Sequence, residues 1–89
     1  MAKKNIKENI KQKVYNFTAV FEPAKEGGYV VYIPALPGCA TQGETFEEAR
    51  EMARDAVEGY LKALKDLKQE IPFESEKTII SRIPAVISC

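Results

Sequence analysis

Residues 27–49 constrain the fold more than any other part of this chain, because they join a strand, a rigid turn and a helix start. A Gly-Gly pair supplies a tight turn, and the aromatic and β-branched residues 29–33 that follow it are typical of a strand. Pro34 and Pro37 then end that strand, since proline fixes φ and lacks an N–H group. The segment therefore predicts a strand that turns directly into a helix.

The helix is predicted to begin at Thr45. Thr45 and Glu48 have the spacing of a capping box, in which the hydroxyl accepts an amide hydrogen bond and the carboxylate reaches back. Gly59, a helix-weakening residue, is expected to mark the closest approach of the helix to a sheet. Apolar residues recur at steps of three and four and predict one buried stripe. The stripe consists of Phe46, Ala49, Ala53, Ala56, Val57, Tyr60, Leu61, Leu64 and Leu67.

The remaining patterns predict strands. Residues 15–21 alternate with the period of a half-buried strand, and residues 40–42 can form a short third strand after the turn. Residues 78–83 are β-branched and are expected to return as a strand beside the first three. We therefore predict an α+β fold: a three-stranded antiparallel meander, one long helix packed on the sheet, and a returning C-terminal strand (β-β-β-α-β). Both faces of the second strand are apolar, so each side of the sheet should have a cover.

Residues 15–72 resemble the HicB-like antitoxins, whose small domain carries a Gly-Tyr strand, a Leu-Pro-Gly-Cys turn and a Gly-x-Thr step into a helix. The resemblance implies a partial ribonuclease-H-like fold. It also implies the antitoxin of a type II toxin-antitoxin pair, which binds and neutralises a small, basic, mRNA-cleaving HicA-like toxin. Because the signature positions are turn, cap and packing positions, we assign them structural roles. They are Gly28, Tyr29, Pro34, Leu36, Pro37, Gly38, Cys39, Gly43, Thr45, Glu48 and Ala49.

The charge distribution divides the chain into a leader and one domain. Residues 1–13 hold five lysines and one glutamate, a net charge of +4, whereas residues 14–89 hold eight basic and twelve acidic residues, a net charge of −4. The leader could be flexible, form a short helix or touch nucleic acid. The acidic domain suits a basic protein partner better than a phosphate backbone. Glu47 and Glu51 on the outer helix face are the candidate partner contacts.

Catalysis is not expected of this chain. It has no histidine and only two cysteines, Cys39 and Cys89, which excludes the usual zinc sites and Cys-His nucleophiles within one chain. A ribonuclease-H-type centre needs several converging carboxylates, but Glu22 is the only acid within the predicted strands. We predict no enzymatic activity, no cofactor and no metal. Cys39 should be a buried packing residue and Cys89 an exposed one.

Length and composition set the remaining expectations. An 89-residue domain buries a modest share of its surface, so we expect a homodimer or higher homo-oligomer. No apolar stretch is long enough to span a membrane and no signal peptide is apparent, which predicts a cytoplasmic protein. The five residues after Pro84 are too few for a DNA-reading helix, so operator binding is not expected. The alternative function is a stand-alone oligomeric ligand-binding or scaffold domain without a toxin.

Overall fold

A computed structural model describes residues 13–88 and shows three strands followed by one helix. These elements are β1 (Val20–Pro23), β2 (Tyr29–Tyr32), β3 (Ala40–Gly43) and α1 (Phe46–Asp66). The strands form one antiparallel sheet in the order β1-β2-β3. The predicted α+β class, with a meander and one long helix, is confirmed. All of the lysine-rich leader except Lys13 lies outside the described residues, and so does Cys89.

The first strand is shorter than its sequence pattern suggested. Residues 15–19 alternate like a strand but have no regular secondary structure, and β1 begins only at Val20, opposite Tyr32. The Ile33 N–H donates to the Cys39 carbonyl, 3.0 Å away on the β3 side, and the next residue that would face β1, Pro34, has no N–H to donate. A ladder needs two backbones, so the turn that begins at Pro34 also sets the start of β1.

The core lies between the sheet and α1. Val31 is buried against the small side chains of Ala49 and Ala53, which let the helix lie close to β2. The Phe46 ring at the start of α1 packs against Phe21 and Tyr29, with ring centroids 4.7 Å and 6.1 Å away. This ring cluster fixes the N-terminal end of α1 over the sheet.

The closest approach of helix and sheet is at Gly43, so the expectation for Gly59 was wrong. A Cβ added at Gly43 would lie 2.6 Å from the Ala49 Cα, whereas one added at Gly59 would meet nothing within 4 Å. The reason is that Gly43 ends β3 directly beneath the first turns of α1. Gly59, by contrast, lies on the exposed side of the helix.

The expected C-terminal strand over residues 78–83 was also wrong. Within the described residues no strand follows α1. The chain returns to the sheet only at Glu74, whose carboxylate accepts hydrogen bonds from the Thr18 N–H, at 2.9 Å, and from the Thr18 hydroxyl. Residues 78–88 then lie exposed. β-branched composition favours an extended backbone, but a strand forms only where a second edge pairs with it, and no described edge of the same chain pairs with this segment.

The Thr18–Glu74 contact should depend on pH. The two hydrogen bonds from Thr18 lower the pKa of the Glu74 carboxyl below its ordinary value of 4.5. The contact therefore stabilises the fold at pH values above 4.5 and is lost as pH falls through the lowered pKa. In NMR titrations the Thr18 amide shift should follow this transition, and Glu74→Gln should abolish it. A midpoint above 4.5 would contradict the contact.

One sheet face is left without a cover by the described residues. It carries two cross-strand rows, Val20–Tyr32–Ala40 and Glu22–Val30–Gln42, which we call the open sheet face. Val30 and Tyr32 are exposed there, at 40% and 39%. The cover that we expected on both sides of β2 is therefore present only on the α1 side. Among residues 13–88, no helix has both the length and the apolarity that crossing a membrane requires.

Candidate partner-binding surface

The signature residues between β2 and β3 form two consecutive turns. The Leu36 N–H donates to the Ile33 carbonyl, and the Cys39 N–H donates to the Leu36 carbonyl, both at 2.9 Å. Gly38 has a φ of +82°, which, with Pro37 before it, is the pattern of a type II turn. The proline and glycine are therefore needed at these positions for backbone reasons.

Leu36 anchors this double turn from inside. Its side chain is fully buried with Ile33 and Cys39, as the sequence predicted for Cys39. Burial raises the pKa of the Cys39 thiol, which keeps it neutral and poorly nucleophilic. Both observations support a packing role for this part of the signature.

Tyr60 ties the double turn to α1. Its hydroxyl donates a hydrogen bond to the Pro37 carbonyl over 2.8 Å, while its ring packs beside the Leu36 cluster. The sequence pattern placed Tyr60 only in the apolar stripe. The hydroxyl group of Tyr60 was the sequence signal for such a hydrogen bond, since a tyrosine in a packed stripe usually finds a partner for its O–H group.

The start of α1 carries the capping box. Thr45 has an extended backbone, and its hydroxyl oxygen accepts the Glu48 N–H at 3.0 Å. The Glu48 carboxylate accepts the Glu44 N–H at 2.6 Å, one residue before the cap. Two backbone donors that α1 itself cannot satisfy are thus paired.

Thr45→Ala should lower the free energy of unfolding by about 1 kcal/mol, because it leaves the Glu48 amide without its acceptor. Chemical denaturation of both proteins measures this difference. Thr45→Ser is the matched control, since it keeps the oxygen and should cost much less. Partner binding by the folded Thr45→Ala protein should be unchanged. Equal stabilities of the alanine variant and the wild type would contradict the cap.

An acidic groove opens next to this helix start. It has a volume of about 430 Å³ and lies between the β1–β2 turn, β3 and the first turns of α1. Among the residues that the structure describes, three glutamates line it and no lysine or arginine does. The exposed Met52 and Val30 contribute apolar surface. The three glutamates are Glu26, Glu44 and Glu48.

The predicted contact residues lie on the exposed face of α1 and do not line the acidic groove; Glu51 lines a second groove, between α1 and residues 13–19. Glu47 is exposed in the first turn and has no ion pair within the described residues, whereas Glu51 is 2.6 Å from the Arg54 guanidinium. The sequence pattern did not identify Glu26 and Glu44 as part of an acidic surface, because both lie in loops outside the helix. Only the hairpin and the β3–α1 connection bring them to one place.

The described residues offer little for metal-dependent chemistry. Among residues 13–88, no group of three His, Cys, Asp or Glu side chains comes together to hold a metal ion. Glu22 lies on the open sheet face, in one row with Val30 and Gln42, and does not itself line the acidic groove. The fold and this surface define a small α+β domain whose exposed features suit contact with another macromolecule.

The chain belongs to the HicB-like antitoxin family. The family model described as "HicB_like antitoxin of bacterial toxin-antitoxin system" matches residues 17–85, which include all three strands, α1 and the segment after it.

Two kinds of relative are similar to the chain. "UPF0150 protein ssr1765" of Synechocystis sp. is 40% identical over 63 residues, which are 71% of this chain and 80% of the relative. "Antitoxin HicB 1" of Photorhabdus laumondii is 49% identical over 45 residues, or 51% of this chain and 29% of the relative. "Antitoxin HicB" of Escherichia coli is 46% identical over 41 residues, or 46% and 30%. The match thus spans less than a third of these two named antitoxins.

Proposed function

We propose that this protein is the antitoxin of a type II toxin-antitoxin pair and neutralises a HicA-like, mRNA-cleaving toxin by direct protein contact. The observation that carries the proposal is the family match over residues 17–85. A toxin that acts on messenger RNA works in the cytoplasm, and we place its antitoxin there too. The protein itself acts by binding and not by catalysis, which the family membership favours.

The acidic groove supports this proposal through its charge. A toxin that binds RNA presents basic surface, and the described residues that line the groove include three carboxylates and no cation. Exposed Met52 adds an adaptable apolar contact of the kind that central interface positions need. Covering the toxin's basic surface would exclude RNA from it.

Co-expression with the neighbouring gene tests the function. If that gene encodes a small basic protein that arrests growth, this chain should restore growth and form a complex that survives gel filtration. Absence of both protection and a low-salt complex would reject the antitoxin proposal. A small molecule bound to the purified protein would then favour the alternative of a ligand-binding or scaffold domain.

Reversing Glu47 and Glu51 to lysine should slow toxin association by about tenfold at low ionic strength, because both are exposed acids on the outer face of α1. Stopped-flow association rates at several salt concentrations measure the effect, which should shrink as salt rises. The matched control reverses two other exposed acids at the far end of α1, Asp66, its last residue, and Glu70, which follows it. The control pair changes the net charge of the protein by the same amount as the Glu47 and Glu51 pair. Equal slowing by both pairs would show that net charge, and not this surface, steers the toxin.

We further propose that the protein associates with itself. The open sheet face leaves Val30 and Tyr32 exposed, and a domain of 89 residues gains stability from additional burial. Self-association would also meet the expectation that both faces of β2 are covered.

A further inference from the structure

We propose that residues 78–88 of one copy are held by a second copy, as a strand on the free edge of β1 and over the groove beside it. The proposal rests on the self-association proposed above and is independent of toxin binding. It names the segment that is exchanged and the surface that receives it.

The C-terminal segment is too apolar to remain in water. Four of its large side chains are between 80% and 95% exposed, and Ile80 is 67% exposed. The four are Ile79, Ile83, Val86 and Ile87. A contiguous apolar run of this kind on a small protein usually marks a contact surface. The other described residues of its own chain, 13–77, do not cover it.

The segment leaves the domain on the β1 side and points away from it. Glu74 is held at Thr18, just before β1. Directly after it the Thr78 N–H donates to the Ser75 carbonyl at 3.2 Å and the Lys77 N–H to the Ser75 hydroxyl at 3.1 Å, so the chain turns. The described molecule is 71 Å long but only 30 Å by 26 Å across. Eleven extended residues reach about 36 Å, far enough to meet a second copy.

The receiving surface is the edge of β1 with the groove next to it. β1 is an edge strand of the sheet, so its outer backbone groups have no ladder partner within residues 13–88. On the α1 side of this edge a groove of about 480 Å³ separates residues 13–19 from the helix. Its lining is mixed: the apolar part includes Phe17, Ala19, Phe21, Val57 and Leu61, and the charged part consists of Lys13, Arg50, Glu51, Arg54 and Glu58. The helix packs against β2 and β3, which leaves the groove open along β1.

When the segment pairs with this edge, the position of Pro84 decides which of its side chains face α1. In a strand Ile79, Ser81 and Ile83 share one face, and Ile80 and Arg82 share the other. Pro84 has no N–H group to donate, so the backbone groups of residues 80, 82 and 84 must point away from β1. Residues 79, 81 and 83 then make the ladder.

This arrangement places Ile79 and Ile83 over the apolar side chains of the groove between residues 13–19 and α1, and it places Arg82 on the open sheet face. On that face Arg82 lies next to the cross-strand row that contains Glu22. Neither residue has an ion pair within residues 13–88 of a single chain. A second copy thus supplies both the apolar cover and the opposite charge. Two copies that exchange the segment reciprocally form a closed dimer.

Cross-linking between two different chains, each with one added cysteine, tests the exchange. Both chains carry Cys89→Ser and keep the buried Cys39; one carries Glu22→Cys and the other Arg82→Cys. After mixing, unfolding and refolding, a short bismaleimide linker should join the two different chains in the dimer fraction. The matched control replaces Glu22→Cys with Gln42→Cys, in the same row but on β3. That position would be about 14 Å from the added strand and should not react.

Each outcome decides the proposal. Light scattering of the full chain should give the mass of a dimer, and efficient 22-to-82 linkage between chains supports the exchange. A monomeric mass would overturn it. Linkage only between the position-82 cysteines of two Arg82→Cys chains would also overturn it, because it would show the C-terminal segments pairing with each other. Linkage within one chain carrying both substitutions, without linkage between chains, would show the segment folding back on its own β1 and would also overturn it.

Discussion

Leu36→Ala is expected to lower the free energy of unfolding by about 2–5 kcal/mol. The Leu36 side chain is fully buried and holds the double turn against the core, so its removal costs both transfer free energy and a cavity. Because the turn positions Pro37, the hydrogen bond from Tyr60 should weaken with it. Chemical denaturation gives the loss directly.

Leu67→Ala is the control for this experiment. Leu67 is exposed at the C-terminal end of α1, and its truncation should change stability by about 0.5 kcal/mol or less. If the two variants lost similar amounts, Leu36 would not be the anchor of the turn.

Gly43→Ala should lower the free energy of unfolding by about 1–3 kcal/mol, although it adds a single methyl group. The added Cβ would meet the backbone of Ala49, including its Cα at 2.6 Å, and a helix backbone cannot move aside as a flexible side chain can. The helix must shift from the sheet, which would also loosen the contacts of Ala53 and Val31. Denaturation midpoints and the NMR shifts of these two residues report the change.

Gly59→Ala makes the same chemical change where there is space. Nothing lies within 4 Å of a Cβ there, and alanine favours the helix over glycine, so this variant should gain about 0.5–1 kcal/mol. Opposite signs for the two substitutions are expected. A loss at both sites would place the close approach of α1 elsewhere.

The sequence was informative where one short stretch determines its own structure. α1 begins directly after Thr45 because the cap and its partner are three residues apart, and it ends at Asp66, one residue before the end of the apolar stripe. The burial of Ala49 and Ala53 followed from the same period. The double turn was predictable because proline and glycine restrict the backbone locally.

The sequence was misleading where a second segment decides the outcome. Residues 15–19 alternate correctly but have no partner strand within residues 13–88, since β2 ends in a turn at Pro34. Residues 78–83 have strand composition but pair with no other described segment of their own chain. Gly59 was singled out by helix propensity, whereas the close contact is at Gly43.

Only some residues of the candidate site could likewise be predicted from the sequence. Glu47 was found from the helix pattern alone, but Glu26 and Glu44 come together with Glu48 only through the hairpin and the loop before α1. The sequence by itself determined the strand-turn-helix order, the cap and the buried stripe, because neighbouring residues fix backbone angles and local hydrogen bonds. Tertiary structure alone decided the closest helix-sheet contact, the Tyr60–Pro37 bond, the acidic groove and the exposed C-terminal segment. These depend on which distant segments meet, and that is set by packing across the whole domain and not by any local pattern.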